Sequence, residues 1–241
     1  MNQRIVGYEL DGGLAEYMLA PAEAIAAGCL FIASTDLPSE RLALAEPLAC
    51  VVNGQRWSPA GVDDTVLVMG AGPIGLLHLQ LALLSGARAV IVSEPSPSRR
   101  ALAERLGATV TVDPAGGDLE AAVEGVTGGL GIDSTVVAIG RPQLVNQALR
   151  LARTGGRVNL LAGFEGSGLA EVESNLLHYK QVRLTGSANS RRTDYATALR
   201  LIESGRIDTA SMITHRFPLA AVAEAIRTVV AGEGVKVAVL P

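Results

Sequence analysis

Three glycines in this chain have the spacing of a phosphate-binding turn. Gly70, Gly72 and Gly75 form the pattern G-x-G-x-x-G directly after a short apolar run. The first glycine of such a turn permits a tight bend, the second lets backbone approach a pyrophosphate, and the third allows the helix to pack on the strand. The helix that begins at Pro73 and Ile74 would direct unpaired N–H groups and a partial positive charge at the phosphates. The pattern predicts a dinucleotide site, and a tight turn in another kind of α/β protein is the alternative.

An acidic residue follows the next apolar run. Glu94 lies about 20 residues after the glycine pattern, where a carboxylate accepts hydrogen bonds from the adenosine ribose and repels a 2′-phosphate. It therefore favours NAD over NADP. Arg99 and Arg100 oppose this preference, because a guanidinium near the ribose can bind a phosphate. The alternative interpretation of Glu94 is an exposed acid at the end of a strand.

The elements that must position these residues alternate along the chain. Between residues 63 and 186, β-type runs are separated by helical patterns, which predicts a parallel sheet covered by helices on both faces. We therefore expect a doubly wound α/β fold with six strands, a Rossmann sheet. The predicted strands are residues 65–69, 89–93, 109–112, 134–139, 157–162 and 182–185, and the predicted helices are residues 73–84, 98–106, 119–126 and 144–153.

The flanking segments have a different pattern. Residues 1–57 are irregular and contain a strand-like piece at 15–19. At the other end, an amphipathic helix at 193–203 precedes two β-type runs, 212–217 and 235–240. Because no further crossover follows, these runs predict a second sheet that is shared with the N-terminal residues.

Composition excludes several classes of protein. The 241 residues carry a net charge of −4, so a nucleic-acid partner is not expected. Cys29 and Cys50 form neither a disulfide framework nor a C-x-x-C cluster, which favours a reducing cytosol. The first four residues lack the apolar core of a signal peptide. Residues 66–84 are apolar, but their glycines, Pro73 and His78 favour a buried strand and helix over a membrane span. We expect a cytoplasmic protein without a membrane partner.

Seven short motifs occur in the order found in a known family. They are Gly-Gly-Leu-Ala-Glu-Tyr (12–17), Ala-Glu-Pro-Leu (45–48), Val-Leu-Val-Met-Gly-Ala-Gly-Pro-Ile-Gly (66–75), Arg-Leu-Gly-Ala-Thr (105–109), Thr-Gly-Gly-Arg-Val (154–158), Ile-Thr-His-Arg-Phe-Pro-Leu (213–219) and Val-Lys-Val (235–237). On these motifs the sequence resembles the medium-chain, zinc-type alcohol and polyol dehydrogenases, in the branch of sorbitol and threonine dehydrogenases. The resemblance implies a nicotinamide cofactor and hydride transfer between an alcohol or polyol and the nicotinamide ring.

The same resemblance implies more cofactor-binding residues. Loops at 138–140 and 161–163 would contact the adenosine half and the nicotinamide half, respectively, while glycines that serve only as strand-end turns are the alternative. A basic residue at 236 would reach the pyrophosphate, unless it is a solvated lysine on an edge strand. The additional residues are Arg99, Ala138, Gly140, Leu161, Gly163 and Lys236.

The sequence departs from the family in its catalytic machinery. In the family a GroES-like domain supplies a cysteine and a Gly-His-Glu motif for catalytic zinc, and a serine or threonine for proton relay. None of these motifs occurs in this sequence. Glu46 matches one zinc-ligand position, but a catalytic zinc needs three protein ligands. The alternative is that Glu46 caps the helix that follows. Zinc is therefore doubtful.

This comparison gives the predicted domain organisation. Residues 1–45 are expected to be a remnant of the β-rich GroES-like catalytic domain, 46–190 the dinucleotide-binding domain, and 191–241 a connecting helix and a return to the catalytic domain. Family members usually dimerise through the strand matching 182–185, so a homodimer or homotetramer is expected. His78 is expected to be packed, His215 to be structural, and Cys50 to be a small buried thiol.

The predicted function is an NAD(H)-dependent oxidoreductase acting on an alcohol or polyol and weakly active alone. We expect the chain to be either a fragment of a longer enzyme or a remnant that binds the cofactor without catalysis. The alternative function is a non-catalytic NAD-binding module or subunit. A methyltransferase is disfavoured by the sixth strand and by the Thr-Gly-Gly-Arg-Val motif.

Overall fold

A computed structural model describes residues 5–164, 166 and 168–241. The first four residues, in which the sequence showed no apolar core of a signal peptide, lie outside this range. Within it the chain forms two compact units: Ala45–Asp208, and the residues up to Leu44 together with Thr209–Pro241. The domain boundaries that the sequence suggested, at residues 45 and 190, stay a prediction.

Helices and strands alternate through the larger unit. The helices are α1 (Ala22–Ala26), α2 (Ser39–Leu42), α3 (Ala45–Trp57), α4 (Pro73–Leu84), α5 (Pro97–Arg105), α6 (Leu119–Thr127), α7 (Gln143–Leu151), α8 (Ser174–Lys180), α9 (Arg192–Glu203) and α10 (Val222–Val230), with a 3-10 turn at Leu219–Ala221. The strands are β1 (Thr65–Met69), β2 (Ala89–Ser93), β3 (Val110–Val112), β4 (Ile132–Val137), β5 (Ala152–Leu160), β6 (Arg183–Gly186), β7 (Ile213–Pro218) and β8 (Lys236–Leu240).

The larger unit is built on the predicted six-stranded sheet. Its strand order is β3-β2-β1-β4-β5-β6, and every neighbouring pair is parallel. All residues of β1 and β2 are buried, as expected for central strands that helices cover on both faces. The chain leaves β1 toward β2 on one side and returns to β4 on the other, so β1 and β4 flank the point where the strand order reverses. The α/β fold class is confirmed.

Helix α4 follows the glycine turn and is apolar around most of its circumference. Pro73 occupies its first turn, where a missing N–H is tolerated. Eight of its twelve residues are buried, including Leu76, Leu79 and His78. α4 contacts β1 and β2 on one side and α3 on another. A helix enclosed by a sheet and a second helix needs apolar residues all round, which explains its sequence.

The predicted boundary between α7 and β5 is wrong. Helix α7 ends at Leu151 instead of 153, and β5 begins at Ala152 and continues through the glycine pair at 155–156. A Cβ on Gly156 would lie 2.9 Å from the carbonyl oxygen of Ile132 in β4. The glycines therefore permit close approach of two strands, which overrides their usual meaning as a helix stop.

Strand β6 forms one edge of the sheet. The N–H of Ser187 donates to the carbonyl oxygen of Leu160, at 3.1 Å. Because successive backbone groups of a strand point in opposite directions, the N–H groups of Leu184 and Gly186 are directed away from β5.

The smaller unit contains a two-stranded parallel sheet, β7 with β8, joined through α10. The expectation that the N-terminal residues share this sheet is wrong for the part of the chain that the structure describes. Residues 15–19 form no strand, and the side chains of Tyr17 and Leu19 are exposed. An extended segment becomes a strand only where a neighbour pairs with its backbone N–H and C=O groups.

No described helix combines the length and apolar character needed to cross a bilayer.

Candidate functional site

The glycine turn joins β1 to α4, and its three glycines meet different constraints. Gly70 has φ +101°, a conformation that favours glycine. A Cβ on Gly75 would lie 1.8 Å from the carbonyl oxygen of Gly70, so the turn admits no side chain there. Gly72 has an ordinary extended conformation (φ −70°), and a Cβ added to it would meet no atom within 4 Å. The fold requires the first and third glycines, whereas the second borders open space.

Glu94 lies beside this turn, at the carboxyl end of β2. Its Oε2 accepts a hydrogen bond from the backbone N–H of Ala71 (2.7 Å), and its Oε1 accepts one from the N–H of Ser96 (2.9 Å). The residue is only 5% exposed, so it is not the exposed acid of the alternative interpretation. Each carboxylate oxygen can accept a second hydrogen bond. The group could therefore receive two neighbouring hydroxyls.

The two arginines after Glu94 are differently engaged. The Nη1 of Arg100 donates to the carbonyl oxygens of Glu94 and Pro95, both at 2.7 Å, and lies 3.2 Å from Oδ2 of Asp113. Arg100 thus braces the loop between β2 and α5. Arg99 is half-buried in the first turn of α5. Its predicted role in cofactor binding stays a prediction.

Two cavities open at the carboxyl ends of the strands, where parallel sheets bind ligands. The first has a volume of about 340 Å³ and lies at the ends of β1, β2 and β4. Its lining residues are Met69, Gly70, Ser93, Pro95, Pro114, Ala115, Ile139, Arg141 and Leu144. The second, of about 280 Å³, is lined by Cys50, Ile74, Ala138, Leu161, Ala162, Ser187, Ala188 and Asn189. Gly70, in the glycine turn, lines the first cavity, and Ile74, at the start of α4, lines the second.

The loops after β4 and β5 lie against each other. A Cβ on Gly140 would be 1.9 Å from the carbonyl oxygen of Gly163, so close packing requires the first of these glycines. Around Gly163 an added Cβ would meet nothing within 4 Å. Ala138 and Ile139 line different cavities, although the sequence analysis had assigned residues 138–140 to a single half of the cofactor.

Sequence reasoning missed part of the wall of the second cavity. Residues 187–189 follow β6 and line the cavity together with Leu161, which had been predicted. The sequence feature that could have revealed these residues is their position at the carboxyl end of a predicted strand, next to Gly186. Asn53 in α3 holds this loop: its Nδ2 donates to the carbonyl oxygens of Ala188 and Asn189.

Glu46 and Cys50 occupy successive turns of α3, and Cys50 lines the second cavity. The thiol of Cys50 donates to Oε1 of Glu46 at 3.5 Å. Burial, and then the charge of Glu46, raise the pKa of Cys50 to about 12. Burial also raises the pKa of Tyr195, and the charge of Glu46 contributes.

This donor set does not fit a catalytic zinc ion. Among the residues that the structure describes, no group of three or more His, Cys, Asp or Glu side chains could hold a metal ion. A catalytic zinc takes three protein ligands. The prediction for Glu46 therefore stays a prediction.

The remaining predicted residues are dispersed. Lys236 belongs to the smaller unit, where its backbone N–H donates to the carbonyl oxygen of Met212 at 3.1 Å. His215 lies on β7 with its ring stacked on Phe217. His78 is buried in α4, as expected for a packed histidine. Burial lowers its pKa to about 3.

The sequence is similar to known dehydrogenases over most of its length. The sequence profile of the zinc-binding dehydrogenases matches residues 73–204, more than half of the chain. L-threonine 3-dehydrogenase of Pyrococcus horikoshii is 34% identical over 217 residues, which are 90% of this chain and 60% of that protein. D-arabitol-phosphate dehydrogenase of Enterococcus avium is 32% identical over 238 residues, covering 98% of this chain and 66% of the relative. The chain thus spans 60–66% of the length of these relatives.

A solved structure has the same architecture. The crystal structure of a protein from Sinorhizobium meliloti, described as a zinc-binding dehydrogenase and bound to NADP, superimposes with a TM-score of 0.89. The two sequences are 35% identical, and the match covers 100% of this chain and 69% of the other.

Proposed function

Because the chain belongs to the zinc-binding dehydrogenase family, we propose that it binds NAD(H) in the larger unit and serves hydride transfer to or from an alcohol or polyol. Bound NAD⁺ would supply the hydride acceptor. The chain's own residues bind and orient this cofactor. The relatives named above support the substrate class through threonine and arabitol phosphate, both of which carry a hydroxyl group.

The observation that carries the proposal is the open space at Gly72. A residue in extended conformation with room for a Cβ has no need to be glycine on account of the fold. A ligand that lies against this backbone would explain the glycine. The N-terminus of the twelve-residue helix α4 begins there and favours an anion. The pyrophosphate of a dinucleotide fits this position, with one cavity for each half.

We propose NAD in preference to NADP because of Glu94. Its buried carboxylate is fixed by Ala71 and Ser96, and a 2′-phosphate beside it would bring like charges together in a site of reduced hydration. Arg100, one of the two arginines that could bind such a phosphate, donates to the carbonyl oxygens of Glu94 and Pro95 and pairs with Asp113. Replacement of Glu94 by serine is expected to raise the affinity for NADP relative to NAD by at least about tenfold, since removal of a repulsion worth roughly 1.4 kcal/mol has that effect. An unchanged ratio would contradict the NAD preference.

We also propose that these residues alone support little turnover. Among the described residues that line the second cavity, Cys50 is the one with a titratable side chain, and its raised pKa holds the thiol protonated. A polyol turned over rapidly by the purified 241-residue chain would refute this. NAD binding without turnover of any alcohol tested would favour the non-catalytic module.

The test of cofactor binding is Gly72→Ala. Its methyl group would enter the space proposed for the pyrophosphate, so the affinity for NAD measured by calorimetry should fall at least about tenfold, a loss of roughly 1.4 kcal/mol. Thermal stability should be unchanged, because the methyl group meets no protein atom. Gly125→Ala is the matched control: it lies in α6, and its added methyl also meets nothing. Equal NAD affinity in the two variants would refute the site.

For assembly we propose pairing of two copies through β6. Leu184 and Gly186 direct their N–H groups away from β5 at the edge of the sheet. An edge strand with outward N–H and C=O groups pairs readily with a second copy.

A further inference from the structure

Asn53 is a buried polar residue in α3 whose side chain reaches outside its own helix. It is 7% exposed, and its Nδ2 donates to the carbonyl oxygens of Ala188 (3.2 Å) and Asn189 (3.0 Å). Both of these residues line the second cavity. Asn189 has φ +57°, an unusual conformation for a residue other than glycine. The two hydrogen bonds from Asn53 help to hold the loop in it.

A second asparagine, Asn159 in β5, contacts both α3 and the loop at residues 187–189. The Nδ2 of Asn159 in β5 donates to the carbonyl oxygen of Gly54 in α3, at 3.2 Å. Its Oδ1 accepts a hydrogen bond from the hydroxyl of Ser187, at 3.0 Å. Asn159 is 1% exposed. Helix α3, strand β5 and the loop after β6 are therefore joined by two buried carboxamides, one of which contacts each end of the loop segment 187–189.

The hydrogen bonds from Asn53 fix the direction of the loop's peptide groups. The C=O and N–H groups of a trans peptide are antiparallel. With the carbonyl of Ala188 directed at α3, the N–H of Asn189 must be directed away from α3. A buried donor that engages two successive carbonyls is costly to replace by an apolar side chain, because both acceptors would lose their partner. The hydrogen bonds from Asn53 thus fix one orientation of the backbone N–H and C=O groups of residues 188 and 189 in the cavity wall.

We propose that Asn53 is a positioning residue for the nicotinamide end of the cofactor. By holding the peptide groups of residues 187–189, it pre-organises the wall that receives the nicotinamide carboxamide, a group with one acceptor and two donor hydrogens. The inference rests on the proposed function, because it takes the second cavity as the nicotinamide site. It assigns the effect of Asn53 to that half of the cofactor only.

The experiment compares two ligands on the full chain. NAD and ADP-ribose are titrated by calorimetry into the wild-type protein and into Asn53→Leu, which has similar volume but no donor. ADP-ribose has the adenosine and pyrophosphate of NAD but no nicotinamide. We expect the affinity for NAD to fall about tenfold, as for the loss of roughly 1.4 kcal/mol. The affinity for ADP-ribose should change less than about twofold, or roughly 0.4 kcal/mol. Asn175→Leu in α8, at an exposed position that lines neither cavity, is the matched control.

Each outcome is informative. Parallel losses for NAD and ADP-ribose would show a general structural role and overturn the proposal, as would an unchanged affinity for NAD. If Asn53→Leu does not fold, Asn53→Ala takes its place, since water can then hydrate the two carbonyls. Wild-type protein that binds ADP-ribose as tightly as NAD would refute the nicotinamide assignment while leaving the phosphate site intact. Wild-type protein that binds neither ligand would refute the proposed function itself.

Discussion

His78 should make the stability of the larger unit strongly dependent on pH. The residue is 2% exposed in α4, and its Nε2 has no hydrogen-bond partner among the described residues. Burial lowers its pKa to about 3, because an imidazolium there would lose its hydration without gaining a partner. Folding therefore requires the neutral ring over the whole range above that value.

The sign of the effect follows from proton uptake. In the unfolded chain a histidine has a pKa of about 6.5. Between pH 6.5 and 3 the unfolded state binds a proton that the folded state does not, so the free energy of unfolding falls as the pH falls through this window. From pH 7 to pH 5 the expected loss from this one residue is about 2 kcal/mol, obtained from the protonated fraction of an ordinary histidine at each pH.

The assay is urea unfolding followed by the fluorescence of Trp57, the single tryptophan, which ends α3 in the same unit. His78→Leu removes both the titrating group and the unpaired nitrogen. The difference in unfolding free energy between pH 7 and pH 5 should be about 2 kcal/mol smaller in this variant than in the wild type. Other titrating groups cancel, because they are common to both proteins.

His178→Leu is the control for the substitution itself, since this exposed side chain is reached by solvent in both states. It should leave the difference between pH 7 and pH 5 as it is in the wild type. If His78→Leu and the wild type lose the same stability between these pH values, the imidazole is not buried as described. The account of α4 as a helix whose central turns are enclosed by the sheet and α3 would then be wrong.

Substitutions at three further places test other parts of the structure. Asp194→Ala should lower the unfolding free energy by about 2–3 kcal/mol in urea titrations, because the buried carboxylate caps α9 and pairs at 2.6 Å with Arg56, itself half-exposed. Gly140→Ala should lower the melting temperature sharply, whereas Gly163→Ala should not, since only the first methyl collides with backbone; equal melting temperatures would contradict the described loop contact. If β6 pairs two copies, Leu184→Pro should convert dimers to monomers in sedimentation experiments, because proline removes an outward N–H.

The sequence predicted the sheet because periodicity and glycine placement depend on local geometry. Central strands buried on both faces must be continuous apolar runs, and β1 and β2 are such runs. The glycine pair at 155–156 misled the prediction because the same residue type serves two purposes. Glycine ends helices, and it also permits strands to approach closely, as at Ile132. Only the partner strand distinguishes the two, and that partner is distant in sequence.

The candidate site was predictable to the extent that side chains define it. Glu94 was found because a carboxylate after the second strand has a chemical reason to be there. The wall at residues 187–189 was missed because a loop that acts through its backbone imposes little on its side chains. Asn53 gave a faint signal, as an amide one turn after Cys50 in an otherwise apolar stretch. A buried polar residue of this kind implies a partner, but the sequence does not say which.

A whole dehydrogenase must both bind its cofactor and activate an alcohol, and these two requirements can be considered separately for this chain. With the exception of Lys236, every residue proposed for the cofactor belongs to Ala45–Asp208. The glycine turn, Glu94 and the wall held by Asn53 are fixed by contacts within that unit, so cofactor affinity should be a property of the unit itself. Activation of an alcohol is a separate requirement, because it needs a group that polarises the hydroxyl oxygen. Binding measurements on NAD and ADP-ribose therefore test the proposed cofactor site independently of turnover.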